Sequence, residues 1–149
     1  MLKIKRTNAG DSDFQQLVSQ LDAELAVIDG EEHTFYDQFN SIKGMNHCLV
    51  AYVDEQPVAC GAIKPFDDEH VEVKRMYTSK AVRGKGYATT LLQALEVWAK
   101  ELGKRYCLLE TGHRQQDAIA VYKKNGYEIV PNYGQYQGVE NSLCFRKKL

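Results

Sequence analysis

Three β runs in close succession constrain this chain more than any other feature of it. Cys48 to Val53 and Pro57 to Ile63 are apolar and rich in β-branched side chains, and Asp54, Glu55 and Gln56 join them in a hairpin pattern. Val71 to Tyr77 then alternates, with Val71, Val73, Arg75 and Tyr77 expected on one face and Glu72, Lys74 and Met76 on the other. Neighbours joined this way run antiparallel.

The later part is patterned differently. From Ala88 onward, Leu91, Leu92, Leu95, Trp98, Ala99 and Leu102 recur at helical spacing, and Gly103 stops the helix. Tyr106 to Leu109 reads as a buried strand, Asp117 to Lys124 as a short helix halted by Asn125 and Gly126, and Tyr127 to Val130 and Ser142 to Lys148 as strands. Ahead of the hairpin, Leu2 and Ile4 mark a short strand, and Gly10, Asp11 and Ser12 supply a turn and a helix N-cap. The stripe Phe14, Leu17, Val18, Leu21, Leu25, Ile28 ends before Gly30, and Glu31 to Asn40 is expected to form a second helical piece. Antiparallel strands followed by strand–helix alternation predict an α+β domain with a mixed sheet flanked by helices, and no linker divides residues 1–149.

A chain of 149 residues, 44% hydrophobic and 26% charged, can build such a core without metal or disulfide staples. Its 19 basic and 20 acidic residues leave a net charge of −1, which argues against nucleic-acid or anionic-lipid partners and makes any anion site local. Cys48, Cys60, Cys107 and Cys144 form no CxxC, and His33, His47, His70 and His113 have no paired-ligand spacing, so reduced thiols and no metal are expected. The N-terminal MLKIKRTNAGDSDF has no apolar core, and no apolar run reaches the roughly 18 residues of a membrane span. The expectation is a cytoplasmic protein.

The sharpest local signal is RGKGYA, made by Arg83, Gly84, Lys85, Gly86, Tyr87 and Ala88, just before the long helix. A helix start offers about four unpartnered N–H groups and roughly half a positive charge, which suits phosphate oxygens. Gly84 and Gly86 let a ligand touch the backbone, while Arg83 and Lys85 add cationic donors. Neither the Walker A pattern nor the dinucleotide GxGxxG is met, because the glycines give GxGxA after an antiparallel run.

Arg83, Gly86 and Ala88 fill the pattern Arg or Gln, two variable residues, Gly, one variable residue, Gly or Ala, and in this the chain resembles the GNAT family of N-acetyltransferases. The order of elements matches along nearly the whole chain, and AVYKKNGYEI, Ala120 to Ile129, resembles the family's later motif, with Tyr122 in the tyrosine's place. The resemblance implies the acyl-CoA N-acyltransferase fold and acetyl-CoA as co-substrate, its pyrophosphate held by the amides of residues 83–88. It also implies a pantetheine contact seven residues before the tyrosine, where the usual asparagine is replaced by Gln115. The resemblance also allows a homodimer.

Acetyl transfer to an amine needs an unprotonated nucleophile, donors for the developing oxyanion and an acid for the departing thiolate. Glu72 is the expected base, 11 residues before Arg83, a spacing that resembles histone-acetylating members of the family. Tyr122 is the expected acid, and the backbone of Met76, Tyr77 and Thr78 the expected oxyanion donor by analogy with the family. Glu110, Thr111 and His113 follow the next strand, with His113 a second proton carrier or a solvated loop residue, and Cys107 is expected to be a packed thiol. Tyr133, Tyr136, Asn132 and the acidic stretch Asp29 to Glu32 would shape a pocket for a cationic amine. The function expected is transfer of acetyl from acetyl-CoA to a primary amine of a small molecule or peptide by direct attack. The rivals are a catalytically silent acyl-CoA-binding module on the same fold and an ATP-binding protein using the glycine loop.

Overall fold

The computed structural model describes residues 1–37 and 41–149. Its elements are β1 (Leu2–Thr7), α1 (Ser12–Asp29), a 3-10 turn at Gly30–Glu32, α2 (His33–Asp37), β2 (His47–Val53), β3 (Gln56–Pro65) and β4 (His70–Thr78). They continue with α3 (Tyr87–Glu101), β5 (Tyr106–Gly112), α4 (Gln116–Lys124), β6 (Glu128–Val130) and β7 (Ser142–Lys148). The helical piece expected over 31–40 is a turn and a short helix, and its last three residues lie outside the described ones.

α1 starts where the sequence places its cap. Asp11 accepts from the N–H groups of Asp13 at 2.9 Å and Phe14 at 3.0 Å, and Gly30 at φ 55 ends the helix. Asp54 and Glu55 both take positive φ, 49 and 67, so the β2–β3 turn has two residues rather than three and Gln56 already pairs with Val53.

The strands form one sheet in the order β1-β2-β3-β4-β5-β7-β6. β4 and β5 pair in parallel, joined by α3 as a crossover, and the other neighbouring pairs run antiparallel. α3 and α4 cover one face, where Leu91, Leu92, Leu95 and Tyr122 pack with Leu49, Ile63, Val71, Leu109 and Phe145. α1 covers the other, where Phe14, Leu17 and Leu21 meet Cys48, Val50, Cys60 and Tyr77. No helix among the described residues is long and apolar enough to cross a membrane.

One irregularity corrects the expected alternation of β4. The β3–β4 register shifts by one residue between Cys60↔Tyr77 and Ala62↔Lys74, and Arg75 takes a left-handed φ of 58. Val71 and Val73 face α3 as expected, but beyond this bulge Met76 turns to the α3 face and Tyr77 to the α1 face. A single inserted residue reverses every later side chain, and a period of two cannot reveal it. The bulge is braced from both sides. Arg75 is buried and ion-paired with Asp22 of α1. Across the ladder Gly61 leaves room for Met76, since a Cβ there would stand 2.5 Å from Met76 Sδ and 3.1 Å from Leu95 Cδ1.

The role of Gly61 is therefore space. Gly61→Val is expected to lower stability by about 1–3 kcal/mol through overpacking, measured by urea unfolding; an unchanged midpoint would show that the bulge does not depend on this gap.

Candidate active site

β4 and β5 lie side by side for three pairs, His70↔Tyr106, Val71↔Cys107 and Glu72↔Leu108. Both continue, β4 to Thr78 and β5 to Gly112, without further pairing to each other. β5 stays in register with β7 from Tyr106↔Lys148 to Gly112↔Ser142, while the bulge at Arg75 redirects β4. The strands part, and backbone groups along 73–78 and 109–112 lose the partner that a continued β4–β5 ladder would supply. Side chains from both strands line the gap: Glu72, Lys74 and Met76 from β4, Glu110 and Thr111 from β5. Gln115, Tyr122 and Tyr136 complete it.

The carboxylates sit on the α1 side of the sheet. Glu72 is buried, its Oε2 accepting the hydroxyl of Tyr133 at 2.7 Å and its Oε1 lying 3.7 Å from Lys74 Nζ. Burial holds the Lys74 ammonium below its ordinary range, opposed by the charge of Glu72. Glu110 accepts the hydroxyl of Ser142 at 2.6 Å, and Ser142 Oγ lies 3.0 Å from Tyr36 Oη. Burial and the nearby charges of Glu72 and Asp29 push the Glu110 carboxyl up to about 7, against the pull of Ser142 and Lys74.

Tyr122 stands on the opposite face. Its ring packs between Tyr127 and Phe145, 6.0 Å from each, and burial, followed by the charge of Glu110, keeps its phenol protonated well above the usual range. Beside it, Thr111 Oγ1 is buried without a hydrogen-bond partner among the described residues. Interior hydroxyls are seldom left so, which marks this wall as one that a polar ligand completes.

The glycine loop forms the other end of the site. Gly84 and Gly86 both have φ 82, a conformation that favours glycine. No side chain caps α3, and the first N–H of its start to reach a backbone carbonyl is that of Thr90, 3.1 Å from Gly86 O. The amides before it face outward as an anion cradle, which fits a diphosphate. The guanidinium of Arg83, expected as a phosphate donor, is committed within the protein. It donates to Thr78 O and to Glu24 Oε2, both at 2.8 Å, and lies 5.6 Å from the centre of the Tyr77 ring. Its charge fixes the loop to β4 and α1, leaving the exposed Lys85 as the loop's outward cation.

The structure thus brings Glu72, Met76, Gln115 and Tyr122 to one cleft. Tyr77 packs beneath α1 instead, and Thr78 lends its carbonyl to Arg83. His113 is an exposed turn residue, and the Asn132 amide is spent on Val139 O at 2.9 Å and Ser142 O at 3.1 Å. Arg114 donates to Asp29 O at 3.0 Å and Glu32 Oε1 at 3.3 Å, so the acidic stretch is partly neutralised. Burial pushes the Cys107 thiol up to about 12, as a packed thiol requires. Among the described residues no cluster of His, Cys, Asp or Glu could hold a metal ion. The sequence reading missed the weight of Glu110, whose partners Ser142 and Tyr36 lie 32 and 106 residues from Glu110 and from Ser142 respectively.

A carboxyl raised from about 4.3 in the unfolded chain holds its proton more tightly when folded, so its contribution to stability is present at low pH and lost as pH climbs to about 7. Between pH 4.5 and 8 wild type should lose on the order of 1–3 kcal/mol relative to Glu110→Gln, measured by urea unfolding at each pH. A difference independent of pH would mean that Glu110 ionises normally.

The chain is similar to known proteins in sequence and in fold. Residues 15–127 match the family model described as Acetyltransferase (GNAT) family. An IAA acetyltransferase of Azospirillum brasilense is 34% identical over 137 residues, covering 90% of this chain and 89% of its own. The PaiA N-acetyltransferase of Thermoplasma acidophilum, solved in complex with coenzyme A, superposes with a TM-score of 0.77 at 17% identity, covering 100% of this chain and 99% of its own. A GNAT family acetyltransferase of Elizabethkingia anophelis with acetyl-CoA bound gives 0.71 at 16% identity, over 99% and 98%. At these identities the two structures attest the fold.

Proposed function

The chain belongs to the GNAT family of acetyltransferases, which use acetyl-CoA as co-substrate, and from that premise we propose that it transfers acetyl to a primary amine of a small molecule or peptide by direct attack in a ternary complex, in the cytoplasm. The observation that carries this reading is the parting of β4 and β5, with Glu72 and Glu110 on one side of the gap and Tyr122 on the other. The amides of residues 84–88 hold the diphosphate, with Lys85 adding charge and Arg83 bracing the loop. The pantetheine arm runs along the opened edge past Thr111 and Gln115, and the backbone of residues 76–78 faces the thioester oxygen.

Acetyl-CoA supplies an activated acyl group. The protein supplies proton management. An alkylammonium is drawn to the carboxylates, with Glu72, fixed by Tyr133 and Lys74, receiving an N–H in a hydrogen bond. As the C–N bond forms and the C–S bond breaks, Tyr122 gives its phenolic proton to the sulfur. Burial weakens Tyr122 as an acid, but a thiolate forming in the same place is strengthened as a base, just as burial raises the Cys107 thiol to about 12. Direct attack is favoured over an acetylated cysteine because that thiol stays protonated at neutral pH.

Two outcomes are expected. Tyr122→Phe should lower turnover about 10²-fold while leaving acetyl-CoA affinity within about threefold; equal loss of both would make Tyr122 a packing residue. Gly86→Val, which puts a β-branched side chain at φ 82, should weaken acetyl-CoA binding by at least about tenfold in calorimetry. Wild type binding acetyl-CoA but releasing no thiol with any of a panel of primary amines would instead favour a silent acyl-CoA-binding module.

A further inference from the structure

We propose that the acceptor is an α-amino acid with an apolar side chain, its ammonium held by Glu72 and Glu110 and its carboxylate by Arg75 and Lys74. This rests on the acetyl-transfer reading and names the substrate class of that site.

The observation that carries it is a donor left over at the bulge. Arg75 lines the cleft although its side chain is only 2% exposed. Its Nη2 is paired with Asp22, whereas its Nε–H is buried without a hydrogen-bond partner among the described residues. Interior donors are seldom left so, and on a charged group the cost is larger still. Bracing the bulge uses Nη2 and leaves Nε over. The edge of a guanidinium that carries Nε is one of those that receive both oxygens of a carboxylate, so a carboxylate in the cleft is the partner this donor lacks.

Lys74, the next residue back along β4, brings a second positive charge to the same cleft. Its Nζ lies 3.7 Å from Glu72 Oε1. Burial holds its ammonium below the ordinary range, the charges of Lys64 and Arg75 add to that effect, and Glu72 and Glu110 oppose it. A simple alkylamine entering here would meet the carboxylates, but it would leave Arg75 Nε unmet and bring one more positive charge to Lys74 and Arg75. A zwitterion answers both signs. Because Glu72 and Lys74 stand two residues apart on one strand with their charged heads 3.7 Å from each other, the ligand's own charges must also be close, as they are across the single α-carbon of an amino acid. Leu21 and Leu25 of α1 and the ring of Tyr136 supply the apolar part of the wall, against which an apolar side chain packs.

The experiment follows CoA thiol release with matched acceptors, every rate expressed per unprotonated amine. The pairs are leucine with isoamylamine and phenylalanine with phenethylamine, the second of each being the first without its carboxylate. In at least one pair wild type should prefer the amino acid by about tenfold or more in kcat/KM, because buried donors reject a ligand that cannot meet them. Leucinamide, which keeps the carbonyl and loses the charge, should behave as the amines do. A smaller preference in both pairs, or leucinamide matching leucine, overturns the acceptor class and leaves acetyl transfer standing. No release with any of these compounds sinks the acetyl-transfer reading, and the acceptor class falls with it. Arg75→Gln should reduce the leucine-to-isoamylamine ratio by about tenfold or more, chiefly through the KM for leucine. A residue that only braces the bulge would lower both rates together, so an unchanged ratio also overturns the assignment. Should Arg75→Gln fail to fold, Lys74→Gln is read by the same ratio, with the same two outcomes.

Discussion

The separation of β4 from β5 is the constraint around which the rest of this protein is arranged. A sheet that stops pairing in its own middle exposes backbone donors and acceptors on two facing edges, and such edges are normally closed by a partner strand. Here the opening is enforced from both sides. β5 is kept straight by its register with β7, and β4 is turned by the extra residue at Arg75. The left-handed backbone of Arg75 is unfavourable by itself, and Asp22 and the gap above Gly61 compensate for it. Strain at the bulge and unmet polar groups at the cleft are two aspects of one device, which holds open a slot that a ligand with its own amides can fill.

The opening also sets the electrostatics. Side chains alternate across a sheet, so a slot cut through it is lined by groups that would otherwise never meet. Glu72, Lys74 and Glu110 reach it from the α1 face and Tyr122 from the α4 face. Glu72 and Glu110 share that face with Lys74, while Arg75, which also lines the slot, is ion-paired with Asp22. The cradle at α3 is net positive through its amides and Lys85. The two ends thus differ in character, amides and a lysine at one and carboxylates at the other, so the anionic co-substrate has its own donors at the α3 end.

Much of this was legible in the residues, for reasons that also explain the rest. The α1 cap at Asp11, the stop at Gly30, the α3 stripe and the glycine loop are local signals, each set by neighbours within a turn of helix. Tyr122 could be placed in the cleft from a short motif and Glu72 from its spacing to Arg83, and both line the slot. What stayed hidden depends on contacts between distant segments. The Arg75 bulge shows no mark in an alternating run, and it moved Met76 and Tyr77 to faces opposite those expected. Arg83 reads as a free cation until α1 brings Glu24 beside it. Glu110 reads as an ordinary strand-end carboxylate, because its burial and its link to Ser142 and Tyr36 exist only once β7 and α2 are in place.

Tyr122 and Glu110 reach the slot from opposite faces of one sheet, and this sets how they influence each other. Tyr122 and Glu110 sense each other electrostatically, yet they belong to different strand faces and no hydrogen bond joins them among the described residues. Were they in direct contact, the phenol would donate to the carboxylate and each would be tied up by the other. Held apart, they act on each other through charge alone. The charge of Glu110 raises the Tyr122 phenol, and its neutralisation on taking a proton relieves that effect. The protonation of one side of the slot is thereby coupled to the acidity of the other.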